Sequence, residues 1–317
     1  MENQKPILYG YRTRQTWSRA RRPAPGRSFT AGDETTTVRI AYQGEPGAYS
    51  EAAALRYSPH ADLLACESFD GVFEAVAAGR ATHGIVPVEN SIGGSIHRNY
   101  DLLLEHDLPI VGEVELPIRH HLLALPGTVI EQVQRIYSHP QALAQCEQFL
   151  RQFPSARVTP TYDTAGSAKL IKDQHLADAA AIASERAAQV FGLETLRSDI
   201  QDYSDNITRF LLVSRTADSS APADKTTIVF SLANEPGALF KALSVFALRD
   251  IDLTKIESRP IRGRPWEYLF YVDIPVSRQD LRCARALVHL AEFARTLRTL
   301  GSYPSARARE AAATEPA

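Results

Sequence analysis

The chain is poor in the features that mark secreted, membrane-spanning and nucleic-acid-binding proteins. It has only three cysteines, Cys66, Cys146 and Cys283, whose odd number and wide spacing argue against a disulfide framework and a thiolate metal site. No apolar run approaches the roughly 18 residues that a membrane-spanning helix needs. A net charge of −2 provides no basic surface for nucleic acid or an acidic membrane. We therefore expect a globular protein of a reducing compartment, with neither a nucleic acid nor a membrane as partner.

The first 36 residues differ in composition from the rest. They contain six arginines and no acidic residue between Glu2 and Asp33. Such a segment is typical of a disordered basic arm or of an organellar transit peptide. We expect residues 1–36 to be a disordered leader of a cytoplasmic protein, with the plastid stroma as the alternative compartment if the leader is a transit peptide.

From Val38 onward, short apolar runs alternate with segments of helical periodicity. The runs include VRIAY at 38–42, HGIVPV at 83–88, RIYS at 135–138, AAIA at 180–183 and RFLLV at 209–213. Strands that alternate with helices predict an α/β domain with largely parallel strands. A polar, proline-containing stretch at 216–225 predicts a linker, so this domain would cover residues 38–215.

The segment after the linker has a different order of elements. Its pattern predicts a strand, a helix, two strands, a long helix over 281–300 and a short final strand near 300–303. That order indicates a ferredoxin-like βαββαβ domain over residues 226–304. The alanine-rich tail at 305–317 is expected to be disordered.

Polar side chains and glycines collect where the predicted strands end and helices begin. Ligands of open α/β sheets bind at such junctions, where loop N–H groups and helix N-termini face them. The candidate residues are Glu89, Asn90 and Ser91 in VENSIGGSIHRNYDLL, Ser138 and Gln145 in YSHPQALAQ, Thr164 in YDTAGSAKL, and Thr208, Arg209 and Phe210 in DNITRF. Hydroxyls, amides and free N–H groups suit carboxylates, so we expect a cleft for a small anionic ligand.

Several of these residues also have a purely structural interpretation. Ser138 before Pro140 fits a helix cap, and Thr208 alone fits a strand entrance. His120 and His121 lack metal-ligand spacing and are interpreted as structural. The sequence contains no Ser-His-Asp spacing, phosphate-binding loop or dinucleotide fingerprint. The residues alone therefore leave both an enzyme and a binding protein open.

Six motifs in order resemble those of the prephenate dehydratase family, including its arogenate dehydratase branch. They are QGEPGAYSEAA, VPVENSIGGSIHRNYDLL, SHPQALAQC, DTAGSAKLI, AAIASERAAQVFGLE and DNITRF. After the linker, GALFKALSVFALRDIDLTKIESRP resembles the family's regulatory ACT domain. The resemblance implies a two-lobed catalytic domain similar to type 2 periplasmic binding proteins, then a ferredoxin-like ACT domain, in a homodimer or homotetramer.

The resemblance also implies a reaction. Prephenate would lose CO₂ and water to give phenylpyruvate for phenylalanine biosynthesis, with no metal or organic cofactor. Arogenate, which would give phenylalanine directly, is the alternative substrate, and a non-catalytic amino-acid sensor on the same scaffold is the alternative function. Thr208 would be the essential hydroxyl, with Asn90, Ser138 and Gln145 in the catalytic site. The residues expected to border the substrate are Glu89, Ser91, Thr164, Arg209 and Phe210.

Phenylalanine is the effector that the resemblance implies, bound where ACT domains meet. The matching residues are Gly237, Ala238, Leu239 and Phe240, together with Glu257, Ser258, Arg259 and Pro260. Without the resemblance, these residues predict only a helix start and a β-strand.

Overall fold

The computed structural model describes residues 38–217 and 222–314, and two α/β lobes form the first part of the chain. The elements of the first lobe are β1 (Arg39–Gln43), α1 (Tyr49–Tyr57), β2 (Asp62–Cys66), α2 (Phe69–Ala77), β3 (His83–Asn90), β4 (Gly94–Ser95), α3 (His97–Glu105) and β5 (Ile110–Pro117). Strand β1 lies between β2 and β3 and pairs with both in parallel. After β5 the chain crosses to the second lobe.

The second lobe is built on a separate sheet of five strands in the order β10-β6-β9-β7-β8. Its elements are β6 (His121–Ala124), a 3-10 turn (Ile130–Gln132), β7 (Arg135–Ser138), α4 (Pro140–Ala144), α5 (Glu147–Leu150), β8 (Arg157–Pro160), α6 (Thr164–Asp173), β9 (Ala179–Ala183), α7 (Glu185–Phe191) and β10 (Glu194–Arg197). Successive residues of a strand point to opposite faces. Accordingly, Leu122 and Leu123 belong to two different apolar clusters, one on each side of this sheet.

Strand β11 (Ile207–Ser214) returns to the first lobe and lies antiparallel between β3 and β5. Its register places Thr208 opposite Asn90 of β3. Since side chains alternate along a strand, Thr208 and Phe210 share one face of β11 and Arg209 projects from the other. The chain thus crosses between the lobes twice, and the second crossing delivers Thr208 to the cleft between them.

The C-terminal domain is an antiparallel βαββαβ unit with strand order β13-β14-β12-β15. Its elements are β12 (Lys225–Leu232), α8 (Ala238–Ala247), β13 (Lys255–Pro260), β14 (Tyr268–Ile274), α9 (Leu281–Phe293) and β15 (Ala294–Tyr303). Strand β15 meets β5 at Gly301 and Ile110, so this domain continues the sheet of the first lobe. A Cβ at position 301 would collide with the Ile110 carbonyl, which is why a glycine is needed there.

The end of the chain corrects two expectations. The helix expected over 281–300 ends at Phe293, and the final strand begins at Ala294. Pairing with β12, including a 2.7 Å hydrogen bond between Ser231 and Thr296, stabilises the longer strand. The tail expected to be disordered forms α10 (Ala306–Thr314). That helix is fixed to the first lobe, because the Arg309 guanidinium lies 3.7 Å from the ring centroid of Tyr57.

Other expectations differ in detail. The strands are less uniformly parallel than expected, because β6, β10 and β11 pair antiparallel with their neighbours. The segment that begins at Pro140 forms two short helices, α4 and α5, which are separated at Gln145 and Cys146. The predicted leader, residues 218–221 of the predicted linker and residues 315–317 of the tail lie outside the described residues. Within the described ranges, no helix is long and apolar enough to cross a membrane.

Candidate active site

A cavity of about 390 Å³ lies between the two lobes. Five of the predicted site residues line it: Asn90, Gln145, Thr164, Thr208 and Phe210. Helices α1 and α6 both begin at its wall, with Tyr49 and Thr164. Helix N-termini carry partial positive charge, so they favour an anionic ligand in this position. The volume is that of a site for a small organic molecule.

A chain of three amides supports the polar wall of the cavity: Asn90 and Gln145 line the cavity, and Asn206 connects them. The Asn90 Oδ1 accepts hydrogen bonds from the backbone N–H groups of Ile92 and Gly93, at 3.1 and 2.7 Å. Its Nδ2 donates to Asn206 Oδ1 at 2.7 Å. The Asn206 Nδ2 in turn donates to Gln145 Oε1 at 3.0 Å. Because backbone donors fix the first amide, the orientation of the other two is fixed as well.

Thr208 is positioned by the same wall and is only 8% exposed. Asn90 Nδ2 donates to Thr208 Oγ1 at 3.0 Å. The threonine oxygen is thereby an acceptor of this bond, and its own proton is left for an acceptor in the cavity. The arrangement leaves the Thr208 hydroxyl able to donate a hydrogen bond into the cavity.

Two predicted site residues hold the backbone instead of lining the cavity. Ser138 is 0% exposed, and its hydroxyl donates to the Ile182 carbonyl at 2.6 Å. Ser91 donates to the Asp205 carbonyl at 2.7 Å and accepts from the Ile207 N–H at 2.9 Å. Ser91 therefore ties the segment that follows Asn90 to the segment that precedes Thr208.

Glu89 and Arg209 project from the opposite side of their strands, toward the C-terminal domain. Arg209 bonds Glu113 at 2.8 Å and Asp273 at 2.5 Å, and Glu89 bonds Lys255 at 2.8 Å. Burial opposes ionisation of Asp273, yet the Arg209 charge holds the pKa of its carboxyl below its usual range. These two residues join domains, and the substrate-binding role predicted for them has no geometric support.

His120 lines the cavity, although the sequence suggested only a structural role. Its Nε2 lies 2.9 Å from Gln145 Oε1, and its Nδ1 lies 2.8 Å from the Tyr49 hydroxyl. Burial lowers the pKa of His120, and burial also holds the pKa of Tyr49 well above its ordinary value. The sequence carried no local signal for this pair, because the two residues meet only through the fold.

The charge of the cavity wall is unusual for an anion site. Among the described residues that line the cavity, one is acidic, Asp163, and none is a lysine or an arginine. The Asp163 carboxylate caps α6 by accepting from the Ala165 N–H at 3.3 Å, and it accepts from the Glu45 N–H at 3.1 Å. Within the described ranges, no group of three His, Cys, Asp or Glu side chains could hold a metal ion.

The predicted effector residues form two separate groups within one chain. Ala238 and Leu239 line a small pocket of about 110 Å³ with Trp266 and Tyr268, while Phe240 is 77% exposed. Gly237 precedes α8 with a φ of 79°, in the region that favours glycine. The other group, Glu257, Ser258, Arg259 and Pro260, lies on β13 and is not part of that pocket.

Comparison with known proteins identifies this architecture. Residues 40–218 match the family model for prephenate dehydratase, and residues 226–282 match that for the ACT domain. The chain belongs to the prephenate dehydratase family. The predicted family, the two-lobed fold with its C-terminal ACT domain and the enzyme class, a carbon–oxygen lyase of the prephenate/arogenate dehydratase type, are confirmed.

Two plant enzymes and one bacterial structure show how close the similarity is. The chain is 54% identical over 278 residues to arogenate dehydratase/prephenate dehydratase 2, chloroplastic, of Arabidopsis thaliana, covering 84% of this chain and 73% of the relative. It is 52% identical over 288 residues to arogenate dehydratase 2 of Petunia hybrida, covering 86% and 73%. The structure of prephenate dehydratase from Arthrobacter aurescens in complex with L-Phe superimposes with a TM-score of 0.79 at 34% identity, covering 88% of this chain and 92% of that one.

Proposed function

We propose that the chain acts on arogenate, forming phenylalanine directly, in preference to prephenate, which the sequence analysis placed first. Arogenate gives the amino acid phenylalanine, whereas prephenate gives the keto acid phenylpyruvate. Arogenate therefore carries an ammonium group at the position where prephenate carries a carbonyl. One observation carries the proposal: the Asp163 carboxylate lines the cavity, and the described lining residues include no lysine or arginine that could neutralise it. A carboxylate there attracts an ammonium and repels a second net negative charge.

The relatives support the same choice. The Petunia relative is named for arogenate dehydratase alone, and the Arabidopsis relative is named for both arogenate and prephenate dehydratase; the two matches cover 86% and 84% of this chain. The presence of Asn90, Gln145 and Thr208 together on one cavity wall supports an enzyme over a non-catalytic sensor.

The proposed mechanism depends on positioning. Loss of CO₂ delivers an electron pair to the ring, which becomes aromatic as it expels the hydroxyl group. The departing hydroxide gains one proton from solvent overall and leaves as water. Thr208 assists by donating a hydrogen bond to the departing oxygen while Asn90 holds the threonine Oγ1 at 3.0 Å. Assistance of this kind contributes about 10²–10⁴-fold to a rate.

Substitution of Asp163 tests the substrate preference. Asp163→Asn should lower kcat/KM for arogenate by about 10–150-fold, the equivalent of about 1.5–3 kcal/mol for a charged hydrogen bond. The value for prephenate should stay level or rise, because asparagine can still cap α6. Both substrates are assayed with wild type and variant, and Asp178→Asn, at a surface pair with Arg135, is the matched control. An equal loss for both substrates would leave Asp163 as a helix cap only, and a wild-type preference for prephenate would contradict the proposal itself.

We also propose that phenylalanine regulates the chain through its ACT domain. The match to the ACT family and the L-Phe bound in the Arthrobacter structure support this role. In this chain, β13 is bonded to the loop that follows Asn90. The Ser95 hydroxyl donates to Glu257 at 2.6 Å, and Lys255 lies 2.8 Å from Glu89. A ligand that moves β13 would therefore move the loop that orients the Asn90 amide.

The effector pocket proposed from the family needs two chains. The Gly237–Phe240 group and the Glu257–Pro260 group are separate within one chain, so a pocket that uses both would form between protomers of a homodimer or homotetramer. The coupling between effector and substrate sites is typically about 1–3 kcal/mol.

Gly237→Val should weaken phenylalanine binding and reduce regulation, while turnover without phenylalanine stays near wild type. A valine at this positive φ would distort the turn before α8. Calorimetry measures phenylalanine affinity, and turnover is measured with and without phenylalanine. Gly127→Val is the control, because Gly127 also has positive φ and open space around it but lies in the second lobe. Unaltered phenylalanine affinity in the Gly237 variant would remove this turn from the effector site.

We propose the plastid stroma as the compartment. The Arabidopsis relative is named as chloroplastic, which supports the alternative given above and gives no support to the cytoplasm.

A further inference from the structure

The amide chain in the cavity wall determines which atom of His120 carries a proton. The N–H groups of Ile92 and Gly93 fix Asn90, and Asn90 fixes Asn206. The Asn206 Nδ2 donates to Gln145 Oε1, so that oxygen is an acceptor. His120 Nε2 lies 2.9 Å from the same oxygen and must therefore donate to it.

The other side of the imidazole has one proton too few. His120 Nδ1 lies 2.8 Å from the Tyr49 hydroxyl, and the same hydroxyl lies 2.6 Å from the Arg119 carbonyl oxygen. In neutral His120 with Nε2–H, both Nδ1 and the carbonyl oxygen are acceptors, and Tyr49 has a single proton to give. A proton on Nδ1 would complete both contacts: Nδ1–H would donate to Tyr49, and Tyr49 would donate to Arg119.

We propose that His120 takes up one proton from solvent on Nδ1 when the substrate binds. The imidazolium then balances one substrate carboxylate and holds Gln145 and Tyr49 in place, so His120 is a positioning residue for the reaction. This inference rests on the proposed dehydratase function, whose substrates have two carboxylates. No bond other than the new N–H is formed in this step.

The surroundings of His120 explain why the proton arrives with the substrate. Its neighbours are Tyr49 of α1, Gln145 between α4 and α5, and His121 of β6, while Gln201 accepts from its backbone N–H at 2.9 Å. Burial is the main cause that lowers the pKa of His120, and His121 adds to it, against the hydrogen bond with Gln145. The carboxylates of a bound substrate supply the negative charge that these neighbours do not.

Proton and substrate binding are reciprocal, so the pH dependence of KM reports the coupling. With wild type, 1/KM for arogenate should fall as pH rises through the pKa of His120 in the complex, by a total of about 5–150-fold. His120→Gln should have the low 1/KM at all pH values and lose this dependence. His121→Gln should keep the dependence and shift it to slightly higher pH, because His121 contributes to lowering the pKa of His120. An unchanged pH profile of 1/KM in His120→Gln would overturn the proposal, whereas absence of turnover in wild type would overturn the proposed function instead.

A second variant and a direct measurement guard against a folding defect in His120→Gln. Tyr49→Phe removes the acceptor of the new proton and should shift the fall in 1/KM to lower pH. Calorimetry of arogenate binding to wild type at low temperature, in buffers of different ionisation enthalpy, should show uptake of about one proton per site beyond that consumed by turnover. A Tyr49→Phe profile identical to that of wild type, or no such excess uptake, would contradict the proposal.

Discussion

Thr208→Ala is expected to lower kcat by about 10²–10⁴-fold, because it removes the donor to the departing hydroxyl group. The free energy of unfolding should fall by only about 1 kcal/mol, since Asn90 Nδ2 keeps its hydrogen bonds to Asn206 and to the Ile207 carbonyl. Thr208→Ser should retain part of the activity, because serine preserves the hydroxyl. Steady-state kinetics and chemical denaturation of the same preparations separate the two effects.

Thr128→Ala is the matched control for this experiment. Thr128 lies outside the cavity lining and bonds only loosely to the Ala177 carbonyl, at 3.5 Å, so its loss should leave kcat unchanged. Near-normal turnover by Thr208→Ala would remove the hydroxyl from the mechanism. A loss of activity that follows a loss of folded protein would assign Thr208 a structural role.

Asp273→Asn is expected to cost about 3–5 kcal/mol of unfolding free energy, the typical effect of removing one partner of a buried ion pair. Asp273 of β14 accepts from Arg209 of β11 at 2.5 Å and from the Thr227 hydroxyl at 2.6 Å. The variant leaves the buried guanidinium with less negative charge at the point where the ACT domain meets the first lobe. Urea unfolding at neutral pH measures the loss.

The pH dependence of the same pair has a definite sign. The folded state holds the pKa of Asp273 below its usual range, so the stabilisation is present above the unfolded pKa of about 3.9 and is lost as pH falls further. The difference in stability between wild type and Asp273→Asn should therefore shrink below about pH 4. Asp178→Asn, at an exposed pair, should show little change at either pH. A small effect of Asp273→Asn at neutral pH would contradict the coupling between the two domains.

The sequence predicted part of the site well. The resemblance to the prephenate dehydratase family implied that Asn90, Gln145 and Thr208 belong to one site, and all three line the cavity. The same resemblance also predicted that Arg209 borders the substrate. Arg209 follows Thr208 directly on a strand, and adjacent residues of a strand project from opposite faces, so Arg209 points away from the cavity. Ser138 was in the correct loop, but its hydroxyl points to the Ile182 carbonyl.

The residues that the sequence missed share a physical cause. Tyr49 and His120 meet at 2.8 Å although they are far apart in the chain, so no local pattern marks the pair. The same is true of the final elements, where β15 depends on β12 and α10 on Tyr57. Tertiary contacts of this kind override local preference, which alone predicted a longer α9 and a disordered tail.

The most direct test of the account is a competition between arogenate and prephenate in equal concentrations, with purified wild-type protein. The rates of phenylalanine and phenylpyruvate formation in one reaction give the ratio of the two kcat/KM values. The account predicts that phenylalanine forms faster, because Asp163 faces an ammonium in arogenate and none in prephenate. Faster formation of phenylpyruvate would contradict the proposed substrate, and consumption of neither compound would contradict the proposed function as a whole.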